Sequence, residues 1–381
     1  MAEEKFDSDS HRRVSRRTLL QAAPSLLSLP FITKSTSVWA QENLSGTGEV
    51  VVQSYGGPAT EAIRRAVNDP FTKATGIKVV DVTVDAAEPQ IAAMFRAGRV
   101  DWDIAEIQAL KYAEMRAAGM FEPIDYNLWD LESLEGVPKN ACLESAVSRY
   151  SAGIAMAYNA RAFPEGSPRT WADFWDVKRF PGPRSLSARF PRYNLVFALS
   201  ADGVAPQDIW PLTDEKIDRA FKKLNSIKPH IVKWWAAGGE PVQLLLNGEC
   251  ALASAFDGRL LSATRKGAPI KFSWEASSLT QNSALAVILK GGPNTKNAQK
   301  LVAFMNRAKV AAAFTESTLF PAPNINQLKY VPADLVALLS INPANASKAV
   351  PQDVAWLSAT RPDGKTNDAY LEERWLAWRT S

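Results

Sequence analysis

The sequence predicts a two-lobed α/β protein in which each lobe is a sheet flanked by helices. Its 381 residues are many for one hydrophobic core and favour two lobes of about 150 residues each. Short apolar strands alternate with helical segments from residue 49 onward, which is typical of a parallel sheet covered by helices. The apolar run Tyr150 to Tyr158 then precedes a loop region rich in Pro and aromatic residues, and it predicts a strand that crosses between the lobes.

Hydrophobic periodicity defines the elements of the first region. Glu49–Ser54 is a short apolar run that ends before Tyr55-Gly56-Gly57-Pro58, a sequence that breaks a strand. Residues 59–71 follow, with apolar side chains at helical spacing. The remaining elements alternate in the same way, with strands at 77–84 and 103–107 and helices at 89–97 and 110–118.

The second region predicts strands and helices of its own. Cys250–Phe256 is an extended apolar run, which we interpret as a return crossing between the lobes. We therefore expect residues 45–148 and 257–293 to form the first lobe, and residues 149–256 and 294–381 the second. The other predicted elements are strands at 185–187, 270–274 and 284–289, and helices at 193–201, 214–227, 241–247, 294–308 and 310–317.

Residues 1–40 have the composition of an export signal. Ser15–Leu20 (SRRTLL) is a twin-arginine pattern that leads into a short apolar stretch, and Val38–Ala40 ends the segment with a small residue. The apolar stretch is too short and too broken by proline to span a bilayer. This order predicts export to the periplasm and cleavage after about Ala40; a disordered basic tail is the alternative.

Composition argues against several classes of protein. The net charge is only +4 and the body of the chain has no block of Lys or Arg, so we expect no nucleic-acid binding. His11, His230, Cys142 and Cys250 are too few for a zinc or iron–sulfur site, so we expect no metal or cofactor. We expect no catalysis, with an exported enzyme as the alternative. The two cysteines predict separate buried thiols, with a disulfide as the alternative.

Motifs along the chain resemble those of one family. Arg169–Arg184 (RTWADFWDVKRFPGPR), Gln243–Glu249 (QLLLNGE) and Lys290–Asn294 (KGGPN) are similar to the corresponding segments of spermidine/putrescine-type periplasmic substrate-binding proteins. The similarity runs in order through residues 48–378. It implies the type II periplasmic binding protein fold, a monomer with a ligand cleft between its lobes, and delivery of the solute to the permease of an ABC importer. Delivery to a sensor is the alternative.

Candidate ligand-binding residues follow the predicted strands, because open α/β sheets bind ligands at the carboxyl ends of their strands. Ser54, Tyr55 and Gly56 follow the first strand, where free backbone N–H groups can hold a polar or anionic group. A tight structural turn is the alternative there. Gln108 ends the third strand, at a position where the family often has a small polar residue. Glu106 is either a second contact or a solvated carboxylate.

Aromatic residues and one acid are the candidates in the second region. Trp234 predicts a cation–π contact with an amine while Trp235 faces the core, and core packing of both is the alternative. Phe256 and Asp257 stand where the family usually has Trp-Asn, so the aromatic wall is kept and a negative charge is gained. A turn-forming role is the alternative for Asp257.

The resemblance implies a small amine-containing, polyamine-like solute, but two positions argue against a dication. Val196 stands where related sequences often have Glu, and the segment of Gln281, the last predicted ligand residue, also lacks an acid. A dication without carboxylate partners is poorly compensated when it leaves water. A mono-cation, a zwitterion or an anion is therefore the alternative. Arg189 and Arg192 favour a carboxylate unless both are surface residues.

Overall fold

The computed structural model describes residues 44–84 and 86–381, apart from the side chains of residues 281–283. The predicted export signal, residues 1–40, lies outside the described residues. No helix in the described part of the chain combines the length and the apolar character that crossing a membrane requires.

One mixed sheet runs through the described chain. Its strands are β1 Glu49–Ser54, β2 Lys78–Thr83, β3 Ile104–Gln108, β4 Val147–Asn159, β5 Arg184–Ser187, β6 Ile231–Trp235, β7 Leu252–Phe256, β8 Ile270–Ile288 and β9 Val350–Pro351. They pair in the order β2-β1-β3-β8-β4-β7-β5-β6, and β9 pairs with β8. Strands β1, β2 and β3 are parallel, as are β5, β6 and β7, whereas β8 is antiparallel to β3 and β4. The sheet therefore has two parallel regions joined by β4 and β8.

Helices connect the strands and cover the sheet. The α-helices are α1 Gly57–Ile63, α2 Asp69–Thr75, α3 Ala87–Arg96, α4 Ala109–Ala117, α5 Leu131–Gly136, α6 Trp171–Trp175, α7 Pro191–Ala201, α8 Asp214–Ile227, α9 Glu240–Leu246, α10 Asp257–Arg265, α11 Thr295–Met305, α12 Ala308–Thr318, α13 Ala333–Val336, α14 Pro343–Ala346, α15 Val354–Ser358 and α16 Asn367–Thr380. A π-helical turn at Arg64–Asn68 joins α1 to α2, so the predicted helix at 59–71 extends over residues 57–75. Short 3-10 turns lie at Tyr126–Leu128, Lys139–Ala141, Ala160–Ala162, Pro206–Asp208, Lys228–His230 and Ile325–Lys329.

Local sequence explains where several helices begin. Thr170 and Asp173 form a capping box at α6, in which the Thr170 hydroxyl accepts the Asp173 N–H at 3.2 Å and the Asp173 carboxylate accepts the Thr170 N–H at 3.0 Å. Gly56 precedes α1 with φ of 75°, a left-handed conformation that glycine adopts at low cost. A Cβ at Gly56 would also lie 2.8 Å from the Thr83 methyl carbon, so the turn requires glycine twice over.

In the first parallel region, β1, β3 and the adjoining part of β8 are buried on both faces, whereas β2 lies at the sheet edge and is partly exposed. Ile104 and Ile288 pack on one face, in a cluster with Val50 and Phe71. The alternate residues of the same strands pack on the other face, in a cluster that contains Ala105, Ile107, Leu285 and Val287. Side chains alternate between faces along a strand, so these strands need apolar residues at nearly every position. This requirement explains why the sequence shows them as continuous apolar runs.

The second parallel region follows the same rule. Ile154 and Met156 of β4 pack on one face in the cluster that contains Trp171. Ala155 and Ala157 pack on the other face, against α9 and α10. The small alanines let these helices approach the sheet closely.

The long strands β4 and β8 connect the two regions. Strand β4 has 13 residues and includes the predicted crossing at Tyr150 to Tyr158. Strand β8 has 19 residues and joins the two strands that the sequence predicts at 270–274 and 284–289. The return crossing is β8, because Cys250–Phe256 supplies β7, which pairs with β4 and β5 inside the second region.

Packing groups two segments differently from the predicted lobe boundaries. Helices α11 and α12 contribute Leu301 and Phe314 to the cluster that covers β1. Helix α10 contributes Leu260 to the cluster of β4 and β7. By their hydrophobic contacts, residues 295–318 therefore lie with the first parallel region and residues 257–265 with the second.

Two local features complete the comparison with the predicted elements. Strand β6, Ile231–Trp235, has no counterpart among them, because Val232 and Lys233 are exposed at the sheet edge and interrupt the apolar pattern. Cys142 is partly buried, Cys250 is buried, and both are free thiols, so the prediction of separate thiols is confirmed.

Candidate functional site

A cavity of about 340 Å³ lies between the two parallel regions of the sheet. The ends of β1 and β3 border it on one side, and the segments that follow β5, β6 and β7 border it on the other. Strands β4 and β8 form its floor through Tyr150, Ala152 and Ala284. The carboxyl ends of parallel strands thus converge on one space, where open α/β sheets bind ligands. The other residues that line it are Tyr55, Glu106, Ile107, Gln108, Phe190, Tyr193, Gly238, Phe256, Arg259 and Phe320.

The carboxylate of Glu106 is held by two tyrosines. Its Oε1 accepts hydrogen bonds from the Tyr55 hydroxyl at 3.1 Å and the Tyr150 hydroxyl at 3.0 Å. Burial raises the pKa of Glu106, and the charge of Arg149 and the two tyrosine hydroxyls oppose that rise. Burial and the charge of Glu106 also raise the pKa of both tyrosines, so their hydroxyls stay protonated and donate. The arrangement fixes an acceptor at the cavity wall.

Arg259 supplies the opposite charge. It lies in the first turn of α10, is exposed, and lines the cavity. Among the described residues it has no ion-pair or hydrogen-bond partner for its guanidinium. The helix N-terminus adds a positive potential at the same place, because its first N–H groups lack intrahelical partners. An anionic group that enters the cavity would meet an unpaired cation there.

Aromatic rings form much of the remaining wall. Phe190 packs edge-on against Tyr193 and Phe256, with ring centroids 5.5 and 5.9 Å apart. Trp235 is fully buried behind them, 5.6 Å from the Phe256 ring, and its Nε1 donates to the Ser254 hydroxyl at 3.1 Å. These rings give the wall an apolar surface, and aromatic faces attract cationic groups, as the packing of Arg192 on Phe190 and Tyr193 already shows.

The structure brings three predicted site residues to the cavity, and these are Tyr55, Gln108 and Phe256. Ser54 lies just beneath, buried, with its hydroxyl 3.4 Å from the Thr83 hydroxyl. Gly56 forms the turn described above and does not appear among the described lining residues.

Trp234, Asp257 and Gln281 have other surroundings. Trp234 packs edge-on against Trp375 and Trp378 of α16, with centroids 5.3 and 5.7 Å apart, and is absent from the described lining of the cavity. Strand alternation therefore directs Trp235, and not its neighbour, toward the cavity wall. Gln281 lies within β8, and its side chain is not among those described.

Asp257 is fully buried at the start of α10. One carboxylate oxygen accepts the Gly258 N–H at 2.8 Å, and the other has no hydrogen-bond partner among the described residues. Burial raises the pKa of Asp257 to about 7, although the hydrogen bond from the Gly258 N–H opposes this rise. The residue thus supports the helix start from behind the cavity and does not present a charge to it.

The sequence predictions did not include most of the wall. Tyr150, Phe190, Tyr193, Arg259 and Phe320 come from four separate segments that only the folded chain brings together. The signal that pointed to one of them is Tyr150 at the start of an apolar run that crosses the molecule.

The two arginines suggested for carboxylate binding are not among the described lining residues, but both pack against Phe190, a ring of the cavity wall. Arg192 forms an ion pair with Asp368 at 2.9 Å, and Arg189 lies over the Phe190 ring at 5.6 Å. Within residues 44–84 and 86–381, no three His, Cys, Asp or Glu side chains come together as metal ligands.

Comparisons with known proteins agree with this geometry. The model of the bacterial extracellular solute-binding protein family matches residues 66–333. A gamma-aminobutyric acid-binding protein of Pseudomonas aeruginosa is 30% identical over 332 residues, which cover 86% of this chain and 90% of that protein. A spermidine/putrescine-binding periplasmic protein of Escherichia coli K12 is 25% identical over 272 residues, which cover 70% and 76%. An ABC transporter substrate-binding protein from Bradyrhizobium japonicum is similar in structure, with a TM-score of 0.75, 31% identity and coverage of 87% and 99%.

The chain therefore belongs to the bacterial extracellular solute-binding protein family. It is a solute-binding protein of the ABC-transporter type, and its fold is the two-lobed α/β fold of periplasmic binding proteins. The predicted family and fold class are confirmed, and the cavity lies in the cleft between the lobes.

The different surroundings of Phe256 and Trp234 predict different effects of substitution. Phe256→Ala is expected to weaken solute binding about tenfold, because a ring of the cleft wall is lost. Trp234→Ala is expected to preserve affinity and to lower stability by about 2 kcal/mol, because its ring packs on α16. The ligand is the solute that most raises the melting temperature in a panel of amines, amino acids and carboxylates. Calorimetric titration with this solute measures the affinity, and urea unfolding measures the stability. Equal losses of affinity in both variants would contradict this placement.

Asp257 predicts a pH dependence of stability. Its folded-state pKa of about 7 lies above the ordinary value of 3.8, so the folded protein retains a proton that the unfolded chain loses between these pH values. The contribution of Asp257 to the free energy of unfolding therefore falls as pH rises from 4 through 7. Asp257→Asn is expected to remove this slope in urea unfolding measured at several pH values. An unchanged slope in this variant would show that the Asp257 carboxyl does not titrate in this pH range.

Proposed function

We propose that this protein captures a small zwitterion with one ammonium and one carboxylate group, of the γ-aminobutyrate type, and delivers it to the permease of an ABC importer. One observation carries the choice of ligand: the described cleft wall contains one carboxylate, Glu106, and one unpaired guanidinium, Arg259. A zwitterion matches both charges, and each charge left without a partner in the closed cleft would be costly.

The ammonium group is assigned to the Glu106 side. Tyr55 and Tyr150 direct their hydroxyl hydrogens to one oxygen of Glu106 and leave the other oxygen free of bonds to these tyrosines. A charge-assisted hydrogen bond from an ammonium fits that oxygen. The tyrosine rings beside it supply additional attraction for a cation.

The carboxylate group is assigned to the Arg259 side. A guanidinium binds a carboxylate through two parallel hydrogen bonds, and the first turn of α10 adds backbone N–H groups. The volume of about 340 Å³ suits a solute of amino-acid size. The name of the Pseudomonas aeruginosa relative, a gamma-aminobutyric acid-binding protein, supports the same class.

A polyamine fits this cleft less well. Its second ammonium would approach Arg259 and would have no second carboxylate among the described lining residues. Val196, where related sequences often have Glu, is fully buried in the cluster of Trp171. It therefore supplies no acidic group to the cleft. The uncompensated charge would oppose closure of the lobes.

Location and partners follow the family. We infer that the protein is exported, loses residues 1–40, and works in the periplasm as a monomer without catalytic activity, nucleic acid or cofactor. The hydrophobic clusters support a first lobe that includes residues 295–318 and a second lobe that includes residues 257–265. Closure of these lobes around the solute would present the loaded form to the permease.

The ligand assignment is tested by removing the positive and the negative charge of the cleft wall in separate variants. Arg259→Gln and Glu106→Gln are each expected to weaken γ-aminobutyrate binding about 100-fold, because each leaves one ligand charge unpaired. Arg265→Gln, at the other end of the same helix and exposed, is the matched control and is expected to bind as the unchanged protein does. Calorimetric titration with γ-aminobutyrate and putrescine measures both. Tighter binding of putrescine than of γ-aminobutyrate would overturn the assignment.

The export route has its own test. Replacing Arg16 and Arg17 with Lys is expected to hold the precursor in the cytoplasm, because the twin-arginine pair is the proposed recognition feature. The unchanged chain is expected in the periplasmic fraction, with an N-terminus near Gln41 by sequencing of the protein. Normal export of the Lys-Lys variant would exclude this route.

A further inference from the structure

A β-bulge places two consecutive residues of β4 beside Glu106. Ser148 pairs with Leu285 and Tyr150 pairs with Ala284, so two residues of β4 stand opposite one residue of β8. In a regular strand Arg149 and Tyr150 would point to opposite faces. With the bulge, the Tyr150 hydroxyl contacts Glu106 while Arg149 acts on it by charge.

Arg149 lines a small chamber next to the cleft, together with several apolar side chains. The chamber has a volume of about 50 Å³ and shares the lining residues Tyr55 and Glu106 with the cleft. The Arg149 guanidinium lies 4.5 Å from the Phe314 ring centroid, and its Nη1 lies 3.2 Å from the Met305 sulfur. These are weak partners for a cation, so its principal opposite charge is Glu106.

The two partly buried charges support each other. Burial lowers the pKa of Arg149, and the charge of Glu106 opposes that change. Burial raises the pKa of Glu106, and Arg149 is the largest opposing influence. The other titratable groups that act on Glu106 are Tyr55 after β1, Tyr150 on β4 and Glu88 on α3, whose negative charge favours protonation of Glu106. Asp81 on β2, which also lines the chamber, is paired with Arg64 at 2.7 Å.

We propose that Arg149 is a positioning residue that holds Glu106 in its carboxylate form, and thereby sets the lower pH limit at which the cleft accepts an ammonium group. This inference rests on the proposed function, because it assigns the ammonium of the ligand to Glu106. Arg149 acts from behind Glu106 and does not line the described cleft itself. A neutral Glu106 would offer the ammonium an uncharged acceptor and bind it more weakly.

Three substitutions of Arg149 separate charge from shape. Arg149→Met and Arg149→Gln remove the charge, the first with an apolar and the second with a polar side chain, and Arg149→Lys keeps it. In the unchanged protein, affinity for γ-aminobutyrate is expected to fall in acid as Glu106 gains a proton. The neutral variants are expected to move the midpoint of that fall upward by about one pH unit or more, because loss of a nearby opposite charge has this effect. Arg149→Lys is expected to stay near the original midpoint.

The measurement is calorimetric titration with γ-aminobutyrate from pH 4 to pH 9, with thermal melts to verify folding of each variant. A structural role alone would lower affinity equally at all pH values and leave the midpoint unchanged, and that result would overturn the inference. If one neutral variant fails to fold, the other still decides between these outcomes.

A ligand-free titration distinguishes failure of this inference from failure of the proposed function. The Glu106 carboxyl can be followed by ¹³C NMR in protein labelled at glutamate, with the resonance assigned by its loss in Glu106→Gln. An upward shift of its titration midpoint in Arg149→Gln supports the inference even when γ-aminobutyrate does not bind. An unchanged midpoint overturns it even when γ-aminobutyrate does bind.

Discussion

The antiparallel pairing of β4 with β8 holds the two regions of the sheet together and places the cleft between them. Strand β8 lies between β3 and β4, and β4 lies between β8 and β7. The two strands are therefore shared by both regions of the sheet. Their side chains form the floor of the cleft through Tyr150, Ala152 and Ala284. The pairing is irregular where it passes beneath the cleft, with register shifts between Ser148 and Tyr150 and between Tyr150 and Ala152. These irregularities keep β4 continuous between the two regions. They also let its side chains point in directions that a regular strand does not permit.

Charge in a partly dry cleft is the second constraint. Glu106 and Arg149 line the same chamber and offset part of each other's cost of burial by charge, and Arg259 lines the cleft without a partner among the described residues. Coulombic attraction is much stronger in such surroundings than in water, so both the attraction of a matching solute and the penalty for a mismatched one increase. A binding protein needs this contrast, since selection among small solutes depends on differences in affinity.

Most of the fold could be predicted from the sequence, and the exceptions have clear causes. Strands β1 and β3 are mostly apolar because both of their faces are buried, and that pattern is visible in the sequence. Strand β6 lies at the sheet edge with Val232 and Lys233 exposed, so its pattern was weak. Whether Trp234 or Trp235 faces the cavity wall depends on the register of β6. Because the sequence did not predict β6, that register was undefined. Of the candidate site, Tyr55, Gln108 and Phe256 could be found because they follow strands that the sequence predicts.

The family, the two-lobed α/β class and the elements whose apolar periodicity reflects burial on both faces could be read from the order of the residues. These properties are local or cumulative, so they are present before the chain folds. The folded chain was needed to show that Glu106 meets Tyr55 and Tyr150, that Arg259 has no partner among the described residues, and that Asp257 is buried behind the wall. Glu106 is 51 positions from Tyr55 and 44 from Tyr150, and its contact with Tyr150 depends on strand register and on the bulge in β4. Periodicity along the chain has no information on such distances, because it reports which face a residue occupies and not which residue it will face.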